Sequence, residues 1–210
     1  KNFLKIILIF LKLFILNSLY ADNQKLKEQI LKLDTKNFKN KILVIEEIAK
    51  NESEFTLLAL KSIFNGSLYI RKSDNKIILA KVINREYDSY GFFDKEKIGI
   101  LKKRKIKKIK INNKIRNLLS NKIGIIQIAK GSKKEKIEAI FDVIKQGNLE
   151  TLEIIEKRIL LEKDSEIQEK LNLVKNSIIA RYGSNEEKVS SIKELSGITN
   201  IDIVNILKSI

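Results

Sequence analysis

The chain has 210 residues and a formal net charge of +16, and it contains no Cys, His, Met, Trp or Pro. Its length allows a substantial core, and an apolar share of 43% is that of a folded chain rather than a disordered one. The missing Cys and His exclude a disulfide, a thiolate nucleophile, a histidine-based catalytic triad and the common zinc sites.

The N-terminal segment, residues 1–21, has the pattern of a secretory signal peptide. It begins with Lys1, continues as a short apolar run and reaches a small residue at Ala21. Lys5 and Lys12 interrupt the apolar run, which therefore falls short of a membrane span. We predict cleavage after Ala21 and an exported protein, on the extracytoplasmic face of the cell membrane (the periplasm).

Residues 22–65 are predicted to form a first helical region. Apolar residues recur at helical spacing from 22 to 50, and a second helix fits residues 54–65. Gly66 is expected to end this second helix, because glycine adopts positive φ at little cost.

Residues 66–111 are predicted to form a β-rich insert. Two short β-branched segments, 67–72 and 76–83, flank a polar turn at 73–75, which is the pattern of a hairpin. Residues 84–96 are rich in aromatic side chains, which are seldom left in water, and we interpret them as an ordered loop. A further extended segment is expected at 105–111.

Residues 112–210 are predicted to be helical throughout. Ser132 with Glu135, and Ser184 with Glu187, have the spacing of capping boxes. The predicted helices cover residues 112–128, 133–146, 149–163, 165–182, 185–196 and 200–209. The last five recur at about seventeen residues, as in helical repeats.

The fold class predicted from this pattern is mainly α. Residues 41–50 align without gaps onto 136–145, and 188–197 have the same apolar positions. Amphipathic helices of this kind bury one face only when a neighbour stacks on them. We therefore predict a HEAT-like α-solenoid of short helix pairs with an inserted antiparallel β-hairpin or small sheet. An irregular helical bundle is the alternative.

A run of basic residues, 102–110, has two interpretations. It could neutralise phosphates of a nucleic acid, with strong, salt-sensitive binding. It could equally be a solvated edge strand, in which lysines prevent association with another sheet. Aromatic residues for base stacking do not interleave the run, and the predicted export also argues against a nucleic-acid partner. We therefore favour the edge strand and expect no nucleic acid to bind.

No residue is a convincing catalytic candidate. Glu46 and Glu47, like Glu186 and Glu187, are adjacent in the sequence, so on a helix they diverge by about 100°. A shared acid/base site needs two carboxyl groups that converge. The sequence has no phosphate-binding glycine loop, metal-binding loop or nucleophile elbow. We predict a protein that is not an enzyme and that has no catalytic, cofactor or metal site.

Two segments carry a family resemblance: residues 63–72 (IFNGSLYIRK) and residues 111–116 (INNKIR). Their order and spacing, with helical repeats downstream, resemble the N-terminal extracytoplasmic region of the permease subunit of bacterial urea ABC transporters. This is the B-type subunit of the branched-chain amino-acid permease family. The resemblance covers the chain from about residue 37 onwards. Where the family's hairpin turn usually has Asp-Gly, this chain has Asp74-Asn75.

The resemblance implies a part in urea transport across the membrane, although no membrane span is predicted in this chain. The implied partners are a second permease subunit, the ATPase subunits and a solute-binding protein. In the family, the membrane-spanning part follows this region. The alternative is a free-standing exported helical-repeat adaptor that binds an acidic protein or lipid surface.

The candidate partner-docking residues lie in the two segments. They are Tyr69, Arg71, Lys72, Asn112, Asn113 and Arg116. For Tyr69 and Arg71 a structural role is the favoured interpretation, with the ring packed and the guanidinium paired to a carboxylate. Asn112, Asn113 and Arg116 are expected to cap the following helix and to brace the insert.

Overall fold

The computed structural model describes residues 20–198 and 201–209, which are mainly helical and contain one five-stranded antiparallel sheet. The chain divides into two compact units, one ending at Leu119 and the other beginning at Ser120. The predicted signal segment, residues 1–21, lies outside the described residues except for its last two, which belong to the first described helix. None of the helices described is long and apolar enough to cross a membrane.

Among the described residues of the first unit, three helices precede the sheet. They are α1 (20–32), α2 (Phe38–Ala49) and α3 (Thr56–Asn65). The side-chain oxygen of Asn37 accepts hydrogen bonds from two backbone N–H groups at the start of α2 and so caps that helix. Gly66 ends α3 with φ of 68°, as predicted. Leu26, Ile30 and Ile45 are fully buried, so the predicted periodicity identifies the inward faces of α1 and α2.

The sheet follows α3. Its strands are β1 (Leu68–Arg71), β2 (Ile77–Ile83), β3 (Glu86–Gly91), β4 (Lys97–Leu101) and β5 (Ile106–Lys108). They lie in the order β4-β3-β2-β1-β5, and every neighbouring pair is antiparallel. The predicted hairpin of β1 and β2 is confirmed, with Tyr69 opposite Ile78. The strand predicted at 105–111 is β5, which is shorter than predicted. It lies at an edge of the sheet, in agreement with the interpretation of the basic run as an edge strand.

The interpretation of residues 84–96 as a loop is wrong. They contain β3 and the turn that leads into β4, a strand that we did not predict. Asn84 and Arg85 have φ of 48° and 68°. A tight two-residue hairpin turn requires positive φ at both of its central residues. Glycine usually satisfies that requirement, and its absence concealed the turn. The aromatic side chains are nonetheless ordered: Phe92 is fully buried, 4.8 Å from Phe93 and 5.9 Å from Phe55 between ring centroids.

The β1–β2 and β3–β4 turns of the sheet have the same hydrogen-bond pattern and the same backbone conformation. Asp74 and Asp94 each use Oδ1 to accept a hydrogen bond from the backbone N–H two residues later, at 3.2 and 3.1 Å. The residues after them, Asn75 and Lys95, have φ of 55° and 56°. The Lys76 ammonium group donates to Asp94 Oδ2 at 2.7 Å and links the two turns. An aspartate followed by a left-handed residue therefore defines both turns without glycine.

Replacing Asn75 with valine is expected to lower the free energy of unfolding by about 1–2 kcal/mol, because a β-branched side chain is strained at positive φ. Asn75→Gly relieves that strain and is the matched control, which should stay within about 0.5 kcal/mol of the parent. Urea denaturation followed by circular dichroism measures both. Equal stability of the two variants would contradict the left-handed turn.

The second unit is helical. After α4 (Asn113–Lys130), which starts in the first unit, come α5 (Lys133–Gln146), α6 (Leu149–Leu161), α7 (Ser165–Tyr182), α8 (Asn185–Leu195) and α9 (Ile201–Ser209). The predicted bounds of α5 and α7 are confirmed to the residue, and both capping boxes are present. Helix α7 contacts α5, α6, α8 and α9. Its fully buried residues Leu171, Val174 and Ile178 pack against α5 and α6.

A buried carboxylate joins three helices of this unit. Glu162, just after α6, has a side chain that is only 6% exposed. Its Oε2 accepts from Lys136 of α5 at 2.8 Å and from Arg158 of α6 at 2.9 Å. Its Oε1 accepts from the backbone N–H groups of Lys163 and Asp164, before α7. The hydrogen bond from Lys136 is the main cause that lowers the pKa of Glu162 to about 2, followed by those from Arg158 and the backbone.

An arginine ties the end of α5 to α7. Arg181 of α7 donates from Nη1 to the carbonyl of Lys145 at 3.0 Å and from Nη2 to the carbonyl of Ile144. Its Nε donates to the carbonyl of Ser177 at 3.1 Å. The last carbonyls of a helix have no partner within the helix, so Arg181 supplies donors that α5 itself lacks.

Candidate docking surface

Tyr69 and Arg71 of β1 have structural partners. Tyr69 is 4% exposed, and its ring meets that of Tyr87 edge-on, with centroids 5.3 Å apart. Burial, and then the neighbouring Tyr87, raise the pKa of Tyr69. The Arg71 guanidinium donates to both carboxylate oxygens of Asp74, with Nε 2.9 Å from Oδ1, and this pairing lowers the pKa of Asp74. Little of the Tyr69 ring therefore remains for a partner to touch.

The second segment lies beside the first. Asn112 Oδ1 accepts from the backbone N–H of Ile115 at 3.0 Å, so it caps α4, and Asn113 is the exposed first residue of that helix. Arg116 donates from Nη1 to the carbonyl of Phe64 at 3.2 Å, and its guanidinium lies 5.1 Å from the centre of the Phe64 ring. The start of α4 is thus attached to the end of α3, immediately before β1.

Lys72 directly follows β1, at the side of that strand that pairs with β5. Its backbone N–H donates to the carbonyl of Lys105 at 3.0 Å and continues the pairing of β1 with β5. Its side chain is exposed and lines a groove with a volume of about 1520 Å³. This groove, which we call the basic groove, lies between the α1–α2 connection and the β1–β5 edge of the sheet.

Eight of the residues that line the basic groove are cations. The run 102–110 contributes Lys103, Arg104, Lys107, Lys108 and Lys110. Lys36, Lys41 and Lys72 complete the set from other parts of the first unit. Asp34 is the one carboxylate in the lining that the structure describes, and it already pairs with Lys107 at 2.5 Å. The groove therefore carries a strong excess of positive charge.

Lys41 is the buried cation of this group. It is 3% exposed, and its ammonium group donates to the carbonyl of Lys110 at 2.6 Å and lies 5.5 Å from the centre of the Phe38 ring. Burial lowers the pKa of Lys41; Lys110 and Lys107 lower it further, while Asp34 opposes them. Like charges thus disfavour one another here, and an anion in the groove would reduce that repulsion.

Across residues 20–198 and 201–209, no three Asp or Glu side chains come close enough together to hold a metal ion. The adjacent pairs Glu46/Glu47 and Glu186/Glu187 belong to no such group. Comparison of the chain with protein-family models, curated proteins and solved structures finds no match.

Sequence reasoning missed the basic groove, although it identified most of its cations. The run 102–110 was visible as a basic segment, and the preference for an edge strand agrees with the position of β5. Lys36 and Lys41 lie more than sixty residues earlier in the chain. No periodicity or motif indicates that they meet the run in space.

Proposed function

We propose that this chain is the extracytoplasmic N-terminal region of the permease subunit of a urea ABC transporter. Its role is docking or assembly and not catalysis. The urea path belongs to the membrane-spanning part that follows this region in the family. The partners are the second permease subunit, the ATPase subunits and the solute-binding protein of the transporter.

One observation carries the proposal: the two segments that carry the resemblance touch each other. They are separated by about forty residues in the chain, yet Arg116 of the second contacts Phe64 of the first. β1, within the first segment, also pairs with β5, which lies just before the second. A contact of this kind gives a physical reason for the two segments to occur together, and this supports the resemblance.

The helices of the second unit support a HEAT-like repeat as part of the same proposal. In a stack of helix pairs, alternate helices lie side by side. Here α5 contacts α7, and α7 contacts α9, but α5 also contacts α9, so α9 does not extend the row beyond α7. We propose that α5 to α8 are two such pairs and that α9 packs across them.

The test is to isolate the native protein with its partners. Immunoprecipitation from detergent-solubilised cell envelopes, followed by mass spectrometry, should recover the second permease, the ATPases and the solute-binding protein of a urea transporter. Recovery should persist at high salt, since a permease subunit is held within its complex by more than exposed charges. Failure to enrich any transporter subunit over a control antibody would refute the proposal.

The basic groove favours a second candidate, an exported adaptor that binds an acidic partner by charge. A surface with seven exposed or partly exposed cations around Lys41 attracts anions over a distance and independently of any transporter. The same immunoprecipitation distinguishes the two candidates. An adaptor held by charge would release its partner at high salt and would bring down no transporter subunits.

A further inference from the structure

The positive charge of the basic groove exceeds the negative charge of its lining. Its only described carboxylate, Asp34, already pairs with Lys107. Lys72, Lys103 and Arg104 are exposed around it. Clefts lined by one sign of charge concentrate the field and raise the local concentration of ligands of opposite charge. The ligand expected here is therefore an anion with several charges.

The aromatic residues of the groove argue against a single-stranded nucleic acid. Such ligands need aromatic faces on which bases stack. Tyr69 is buried and Tyr87 is half-buried, with the two rings in edge-on contact. Phe38 is thus the one exposed ring among the three in the groove lining, and the Lys41 ammonium group lies over it. A single exposed ring cannot stack successive bases.

The shape of the groove argues against a metabolite and against a bilayer. Its volume of about 1520 Å³ exceeds the roughly 300–1,000 Å³ of typical small-molecule sites. A flat lipid surface cannot follow a concave wall and would leave the lining of the groove uncovered. The lining also offers apolar contact, because the ring of Phe38 is 40% exposed. Acidic side chains on a flexible backbone match both the cations and this exposed ring.

We propose that the basic groove binds an acidic polypeptide segment of a partner protein. This inference rests on the docking role proposed above and names its ligand class. Carboxylates of the segment pair with the exposed cations Lys72, Lys103 and Arg104, and its apolar side chains lie on Phe38. The interaction is salt-sensitive, because most of the cations are exposed.

The experiment compares two variants with equal net charge. The groove variant carries Lys72→Gln, Lys103→Gln and Arg104→Gln. The control variant loses three exposed lysines of the same unit that do not line the groove: Lys50→Gln, Lys81→Gln and Lys97→Gln. Circular dichroism verifies that both variants fold. Fluorescence anisotropy measures the binding of labelled poly-L-glutamate to the whole chain at low and at moderate salt.

The groove variant is expected to bind poly-L-glutamate about tenfold more weakly than the parent, and the control variant about as tightly. An equal loss in both variants would overturn the proposal, because net charge alone would then explain the binding. A labelled oligothymidine and vesicles containing phosphatidylglycerol are run in parallel. Stronger groove-dependent binding to either would also overturn it. Groove-specific peptide binding without recovery of transporter subunits would contradict the transporter proposal alone.

Discussion

Replacing Glu162 with alanine is expected to lower the free energy of unfolding by about 3 kcal/mol. The substitution leaves Lys136 and Arg158 without their carboxylate, in positions that are only 15% and 22% exposed. It also removes the acceptor for two backbone N–H groups before α7. Breaking a buried pair costs more than the pair itself contributes, because the remaining charges stay poorly solvated. Urea denaturation at neutral pH measures the change.

An exposed ion pair provides the control for Glu162. Glu153 accepts from Lys157 at 2.7 Å, but both side chains are more than 70% exposed. Pairs of that kind are screened by water, so Glu153→Ala is expected to leave stability almost unchanged. A loss from Glu162→Ala as small as that from Glu153→Ala would mean that the network does not stabilise the second unit.

Glu162 also gives the protein a defined sensitivity to acid. Its pKa in the folded protein is about 2, below the usual value of 4.5, so the unfolded chain binds the proton first as the pH falls. The stabilisation is therefore complete above about pH 4.5 and is lost as the pH falls towards 2. The difference in stability between the parent and Glu162→Ala should shrink over this interval. A difference that stays constant would contradict the assigned pKa.

Replacing Arg181 with methionine is expected to cost about 2 kcal/mol. The methionine keeps most of the apolar stem but removes the donors to the carbonyls of Ile144 and Lys145, at the end of α5, and of Ser177. Hydrogen bonds from a charged donor are stronger than neutral ones, and carbonyls at a helix end have few alternatives. Thermal unfolding followed by circular dichroism checks the loss.

A conservative variant separates charge from geometry at the same position. Arg181→Lys keeps the positive charge near the end of α5, but one ammonium group cannot replace a planar donor that reaches three carbonyls. Its stability should lie between those of the parent and Arg181→Met. If Arg181→Lys matches the parent, attraction to the helix end explains the effect, and the specific hydrogen bonds do not.

The helices could be predicted from the sequence because their signals are local. The capping boxes that start α5 and α8 each span four residues. The spacing of apolar residues likewise identified the helix faces that the structure buries. Strand β4 was missed for an equally local reason. The turn before β3 uses Asn84 and Arg85, and the turn before β4 uses Asp94 and Lys95, so neither contains the Gly that usually indicates a hairpin.

The docking surface was less predictable, because it depends on contacts between distant parts of the chain. The order of the two segments could be read from the sequence, but the contact between Arg116 and Phe64 could not. The same applies to the basic groove, where Lys41 reaches the carbonyl of Lys110. A lysine on an amphipathic helix is usually in water, and burial of Lys41 follows only from the position of the sheet.

The capped helices suggest how this architecture tolerates a restricted choice of amino acids. Six of the described helices start at a side-chain oxygen that accepts from the backbone: Asn37, Asn112, Ser132, Asn148, Asp164 and Ser184. Proline, which often occupies the first turn of a helix, is absent from the whole chain. The starts of these helices are therefore set by side-chain oxygens of Asn, Asp and Ser, and none of them depends on proline.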